Sequence, residues 1–225
     1  MHDPFSIPVP SLLLLGPTGS GKSPLGDAVA RRGFLGIKAH HLDFGAELRA
    51  AASGGKAASG YTEAEIEFIK GVLDRGLLLE NEHFGLAEKI IKGFMEWQGF
   101  RDGHILVLNG IPRHIGQARD MEGVCDIRAV VVLDCPPEGV ICRLKSNIGR
   151  DRTGRMDDNI ELVAKKLELF RERTAPLVSH YELKGTRIYR IEVAPDMTPD
   201  AVYDRLISLA SFDPPVSLVA EPPEG

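Results

Sequence analysis

Cysteine is scarce: the 225 residues hold three, Cys125, Cys135 and Cys142. An odd number without metal-ligand spacing speaks against a disulfide framework and a zinc site, and leaves free thiols in a reducing compartment as the expectation. A basic excess is missing too. Twenty-seven Lys and Arg stand against thirty-two Asp and Glu, a net charge of −5. The positive field that neutralises phosphates in nucleic-acid binders is therefore lacking, and no nucleic-acid partner is expected. Long apolar runs are absent as well. Leu12–Leu15 is far shorter than the ~20 residues of a membrane span. It follows Asp3, Pro4, Pro8 and Pro10 rather than basic residues, so it does not read as a secretory leader. A cytoplasmic chain without membrane contact is expected, and a monomer.

What is present is an ordinary globular composition, 43% hydrophobic and 26% charged, long enough for one sizeable core. No internal repeat is visible. Short apolar runs predict buried strands at Ser11–Leu15, Ile105–Leu108, Ala129–Leu133 and Ile188–Val193, with a weaker one near Gly36–Leu42. Helical spacing marks Lys22–Arg32, Thr62–Arg75, Asn81–Trp97, Pro136–Lys145, Asn159–Leu183 and Pro199–Ala210. Thr62 followed by Glu65 has capping-box spacing. Pro136, Pro137 and Pro199 fall where first helical turns begin. Strands alternating with helices predict a parallel sheet covered on both faces, an α/β architecture. Small residues crowd Ala50–Gly60, which suggests a mobile connection, and the proline-rich tail 212–225 is expected to be disordered.

The first chemical signal is GPTGSGKS, Gly16–Ser23, between a predicted strand and a predicted helix. It matches G-x-x-x-x-G-K-[ST] in the context that the pattern requires. Glycines at 16, 19 and 21 let backbone N–H groups, with that of Ser20 among them, curl around phosphate oxygens, and the following helix adds its N-terminal dipole. Lys22 can reach the β- and γ-phosphates, and the Ser23 hydroxyl can ligate Mg²⁺. The stretch reads as a triphosphate-binding P-loop, with ATP and Mg²⁺ as the bound species. Pro24 is tolerated in the first turn.

Four further segments occur in order: HLDFGAELR (41–49), NGIPRHIGQA (109–118), GRMDDN (154–159) and TAPLVSHYELKG (174–185). Together they resemble the adenylate kinases and related nucleoside monophosphate kinases over about residues 11–211. The resemblance implies a P-loop three-layer sandwich around a mostly parallel five-stranded sheet. A small helical acceptor-binding subdomain (41–75) and a short, zinc-free lid (146–158) complete it. The implied activity moves the γ-phosphoryl of Mg-ATP to a nucleoside monophosphate, AMP first. By the same resemblance, Arg49 and Arg113 clamp the acceptor phosphate, with Gly110 beside them, and Gln117 hydrogen-bonds the base. Arg155 and Arg143 close over the phosphates, and Lys166 faces the group in transfer. Of Arg150 and Arg152, either could point inward. Asp157 and Asp158 orient the lid arginines. The adjacent His40 and His41, on opposite strand faces, are read as structural rather than metal-binding.

Departures from the family pattern are equally specific. Asn109 takes the place of an aspartate that holds Mg²⁺ through water, so with Ser23 it forms a metal site short of one charge; Asp134 is a candidate to supply it. Phe44 replaces a small polar neighbour of the base, Ala46 replaces an acid, and Lys166 replaces an arginine and loses its planar fork. These leave two rivals: a small-metabolite kinase, which needs a base for a hydroxyl acceptor, and a non-catalytic nucleotide-binding module. Gln117 argues against the first.

Overall fold

A computed structural model of the chain describes residues 8–54, 60–149 and 160–212. Apolar segments form β1 Val9–Leu15, β2 Ala39–Asp43, β3 Ile105–Asn109, β4 Cys125–Asp134 and β5 Arg187–Glu192. They lie in the order β2-β3-β1-β4-β5, and each neighbouring pair is parallel. Because side chains alternate along a strand, each strand feeds two cores. Leu12 and Leu14 of β1, with Ile105 and Val107 of β3, meet α1 (Lys22–Arg32) and α9 (Pro199–Phe212) on one face. Leu13 and Leu15, with Leu106 and Leu108, turn to the other face. There they join α2 (Phe44–Ser53), α3 (Glu63–Arg75) and α4 (Phe84–Trp97). This is the expected three-layer α/β sandwich.

The differences from the sequence reading have local causes. Helix α2 begins at the residue after β2, where the Asp43 carboxylate caps it by accepting from the Ala46 amide at 2.9 Å. It covers the first part of the stretch read as a mobile connection; residues 55–59 lie outside the described residues. Helix α5 (Ile115–Asp120) is a single short turn-and-a-half, capped by His114, and left no periodic signal. The stretch 159–183 is divided into α7 (Ile160–Leu169), a π-helical turn Phe170–Thr174, and α8 (Pro176–Leu183). Pro176 lacks the N–H that would continue the ladder, and the Ala175 amide reaches back five residues to the Phe170 carbonyl at 2.7 Å. The Thr62–Glu65 capping box is present in full. Helix α6 (Pro137–Ser146) follows β4 and leads to the predicted lid, of which residues 150–159 lie outside the described residues, as do 213–225 of the tail. No described helix is long and apolar enough to cross a membrane.

The carboxyl ends of β1, β2 and β3 bring Leu15, Asp43 and Asn109 to one edge of the sheet. In open parallel sheets this edge is where ligands bind.

Candidate active site

At that edge the loop Gly16–Ser23 connects β1 to α1 and lines a cleft of about 220 Å³. Its glycines are sterically enforced. Gly21, the residue that caps α1, sits at φ 100°, a left-handed conformation that favours glycine. A Cβ on Gly16 would lie 2.7 Å from the Ser20 hydroxyl. Ser20 itself is fully buried, and its hydroxyl has no hydrogen-bond partner among the described residues. The first turn of α1 carries no acidic residue, so its N–H groups keep their partial positive charge for an anion. Lys22 Nζ donates to the carbonyls of Gly16 (2.6 Å) and Pro17 (2.8 Å), which holds the ammonium at the loop.

Next to Lys22 lies a polar network that the sequence reading missed. Ser23 Oγ donates to Asp43 Oδ2 at 2.6 Å. Asn109 Nδ2 lies 3.0 Å from Ser23 Oγ, 3.2 Å from Asp43 Oδ2 and 3.3 Å from His41 Nε2. The other His41 nitrogen, Nδ1, lies 2.8 Å from Asp27 Oδ1. With Nδ1 donating to the carboxylate, Nε2 is left as the acceptor for the amide. Burial pushes the Asp43 carboxyl up; hydrogen bonds from Ser23 and Ala46, with the charge of Arg49 nearby, outweigh it and hold the group below its ordinary value. Asp134, the candidate to replace a missing charge, lies instead at the end of β4, half exposed and 3.8 Å from Arg190.

The His41 ring lies flush against α1 at Gly26, where a Cβ would come within 2.3 Å of the ring. In an uncrowded helix, Gly→Ala gains about 0.5–1 kcal/mol. Here Gly26→Ala should instead cost about 1–3 kcal/mol through overpacking, and it should lower kcat by moving His41 and with it Asn109. Denaturant unfolding with steady-state rates checks both; a stabilised and fully active variant would disprove the brace.

The acceptor wall comes from the opposite core. Phe44, Leu48, Val72 and Leu77–Leu79 line the cleft, with Gly110, Arg49, Arg113 and Lys166. Phe44 is 4% exposed and packs into the core, so it fills the space in which a smaller polar residue would leave room. Arg113 Nε donates to Thr174 Oγ1 at a long 3.4 Å, and its backbone amide donates to Gln117 Oε1 at 2.8 Å. Desolvation lowers the Arg113 pKa from its ordinary value. No carboxylate among the described residues pairs with Arg113 or Arg49. Gln117 is 1% exposed, and its amide braces the wall: Nε2 donates to the Leu79 carbonyl at 2.8 Å. These two bonds use one N–H and one lone pair of the amide and leave one of each.

Of the two lid assignments, Arg143 alone falls among the described residues. Arg143 is 5% exposed, and its Nη1 donates to the Ala194 and Met197 carbonyls, both at 2.8 Å. It fastens α6 to the β5–α9 loop behind Gly21 rather than lining the cleft. Arg155 lies outside the described residues, with Arg150, Arg152, Asp157 and Asp158.

As donors for Mg²⁺, the Ser23 hydroxyl and Asp43 carboxylate fit: both are hard oxygens, and Mg²⁺ takes one or two protein ligands beside phosphate and water. Asn109 points its N–H groups at both and offers no charge. Among the described residues, no three His, Cys, Asp or Glu side chains cluster as a metal cage.

Comparison with known proteins agrees with this geometry. The family model described as an AAA domain matches residues 12–164. The adenylate kinase of Synechococcus sp. (strain CC9902) is 32% identical over 182 residues, 79% of this chain and 87% of its own length. That of Thermus thermophilus is 29% identical over 207 residues, 87% of this chain and 94% of its own. An unliganded sugar kinase structure from Janibacter sp. HTCC2649 superposes with a TM-score of 0.52 at 14% identity, covering 95% of this chain and all of that one, a likeness of fold. With a phosphate-binding loop, a cationic cleft and these relatives, the chain is a phosphotransferase that belongs to the adenylate kinase family.

Proposed function

We propose that the enzyme transfers the γ-phosphoryl group of Mg-ATP to a nucleoside monophosphate, AMP first, giving two molecules of ADP. The observation that carries this reading is the pair Arg49 and Arg113 in the same cleft as the P-loop, neither of them bonded to a carboxylate among the described residues, with Asp43 acting on Arg49 only from a distance. An uncompensated cation in a partly dry site is costly unless an anion arrives, and the planar fork suits a phosphate. ATP lies along Gly16–Ser23, with Lys22 exchanging loop carbonyls for phosphate oxygens. Arg49, Arg113 and the Gly110 turn hold the acceptor phosphate in line. Lys166 and, from the lid, Arg155 neutralise charge spreading on the moving group, while Arg143 steadies the donor loop from behind. Bound Mg²⁺ would screen and orient the β- and γ-oxygens, held from Ser23 and its neighbours. Phe44 and the remaining Gln117 hydrogen-bonding positions contact the base. The acceptor phosphate is already anionic, so no strong general base is needed.

Asp43 favours a second reading, since a carboxylate in the cleft could take a proton from a hydroxyl acceptor. A coupled assay of ATP with AMP, dAMP, GMP, CMP and UMP, alongside gluconate and shikimate, separates the two. Fastest turnover is expected with AMP. A pyrimidine monophosphate preferred over AMP would overturn the base choice alone, and turnover confined to a hydroxyl acceptor would overturn the monophosphate reading.

A further inference from the structure

Asp43 poses an electrostatic problem. The cleft is lined by Lys22, Arg49, Arg113 and Lys166, and its lining contains one acidic side chain among the described residues, Asp43. A carboxylate facing triphosphate oxygens repels them unless a cation lies between. The carboxylate has two distinct jobs on its two oxygens. Oδ1 caps α2 by accepting from the Ala46 amide, whereas Oδ2 turns to the Ser23 hydroxyl at 2.6 Å and to Asn109 Nδ2 at 3.2 Å. Capping accounts for the first oxygen and leaves the second unexplained. Ser23 follows Lys22 directly, so Oδ2 stands at the phosphate end of the cleft.

We propose that Asp43, at the end of β2, supplies the negative charge that anchors the divalent cation of the bound triphosphate, and that Asn109 on β3 is its neutral positioning partner. Residues 43 and 109 are register neighbours across the parallel β2–β3 pair, so either can present a side chain to the same point. The surroundings of residue 109 demand a hydrogen-bond donor. It faces Asp43 Oδ2 on one side and His41 Nε2 on the other, and His41 is held in that tautomer by Asp27. An aspartate there would meet a carboxylate and an imidazole lone pair at once. The charge on β2 and the amide on β3 are thus a matched pair, and Asp43 with the Ser23 hydroxyl would hold the cation beside the phosphates. The inference rests on the nucleotide-binding reading above.

The test uses Mn²⁺ as the metal probe on the full chain. The free-Mn²⁺ electron paramagnetic resonance signal gives the ion's affinity for the protein–ATP complex, and calorimetry gives affinity for ATP without metal. Asp43→Asn and Asp43→Ser both keep a capping side chain for α2. Each should weaken Mn²⁺ binding about 10-fold or more, with metal-free ATP binding unchanged or tighter. Asn109→Asp alone should bring no gain in Mn²⁺ affinity. The double variant Asp43→Ser/Asn109→Asp, which moves the carboxylate one strand over, should return to within about threefold of the parent. Mn²⁺ affinity retained in Asp43→Asn, or a double variant as weak as Asp43→Ser, overturns the assignment while the nucleotide reading stands. A parent chain that binds no ATP, with or without metal, overturns both.

Discussion

Lys22→Ala should lower kcat by about 10³-fold, the cost of removing one preorganised charge from a developing transition state. The fold should survive. The Lys22 Nζ bonds to loop carbonyls, those of Gly16 and Pro17, and the side chain lines the cleft. Gly16 and Pro17 are buried, so the freed carbonyls take water in the space that the side chain vacates, and the unfolding midpoint should move by about 1 kcal/mol or less. The signature is therefore a collapse of rate at nearly constant stability, with weaker binding of ATP and little change in the acceptor KM. Rates, circular dichroism melts and ATP titration measure all three. Activity within a few-fold of the parent would remove Lys22 from the transfer step.

Arg113→Ala should show the opposite pairing. The guanidinium is desolvated and, among the described residues, carries no carboxylate partner. Its presence costs stability, so truncation should leave the protein as stable as the parent or more so. The structural bonds of this residue belong to its backbone: the amide to Gln117 Oε1 and the carbonyl from Thr174 Oγ1 at 2.8 Å. Alanine keeps both. Function should suffer heavily: kcat/KM for the monophosphate should fall by about 10²–10³-fold, while ATP affinity stays nearly constant. Loss of ATP affinity instead would move Arg113 to the donor side. Loss of stability would mean the side chain is a structural brace.

Much of the architecture was legible because it depends on patterns confined to a few residues. The leucines of β1 and the valines of β4 announced buried strands, and Thr62 with Glu65 announced a helix start. Gly16–Ser23 specified its own loop geometry. Asp43 was not legible, although it lies within the segment 41–49 that drew notice. Its role depends on a register with Asn109, which is sixty-six residues away in sequence and adjacent in space. Sequence pattern showed a charge missing at 109 and pointed to Asp134; parallel pairing of β2 with β3 placed a different acid next door. His41 was hidden in the same way: its ring needs the bare backbone of Gly26, a contact that no local periodicity encodes. The resemblance put Arg143 over the phosphates, whereas its Nη1 bonds run to two carbonyls of the β5–α9 loop, more than fifty residues on.

The alternation of side chains along β1, β3 and β4 has a consequence for how such an enzyme can change over generations. The helix α1 that follows the loop Gly16–Ser23 packs in the core shared with α9, and the facing wall of the cleft packs in the core shared with α2, α3 and α4. Substitutions at Phe44, Leu48 or Val72 would reshape that wall, and the packing strain they create falls mainly on one face of the sheet. Beneath Gly16–Ser23, the packing of Leu12 and Leu14 against α1 and α9 is left as it was. Under the proposed function, a lineage can therefore explore new acceptors by small steps with little change at the ATP loop, and a mutational library confined to the α2–α3 face would search the same space.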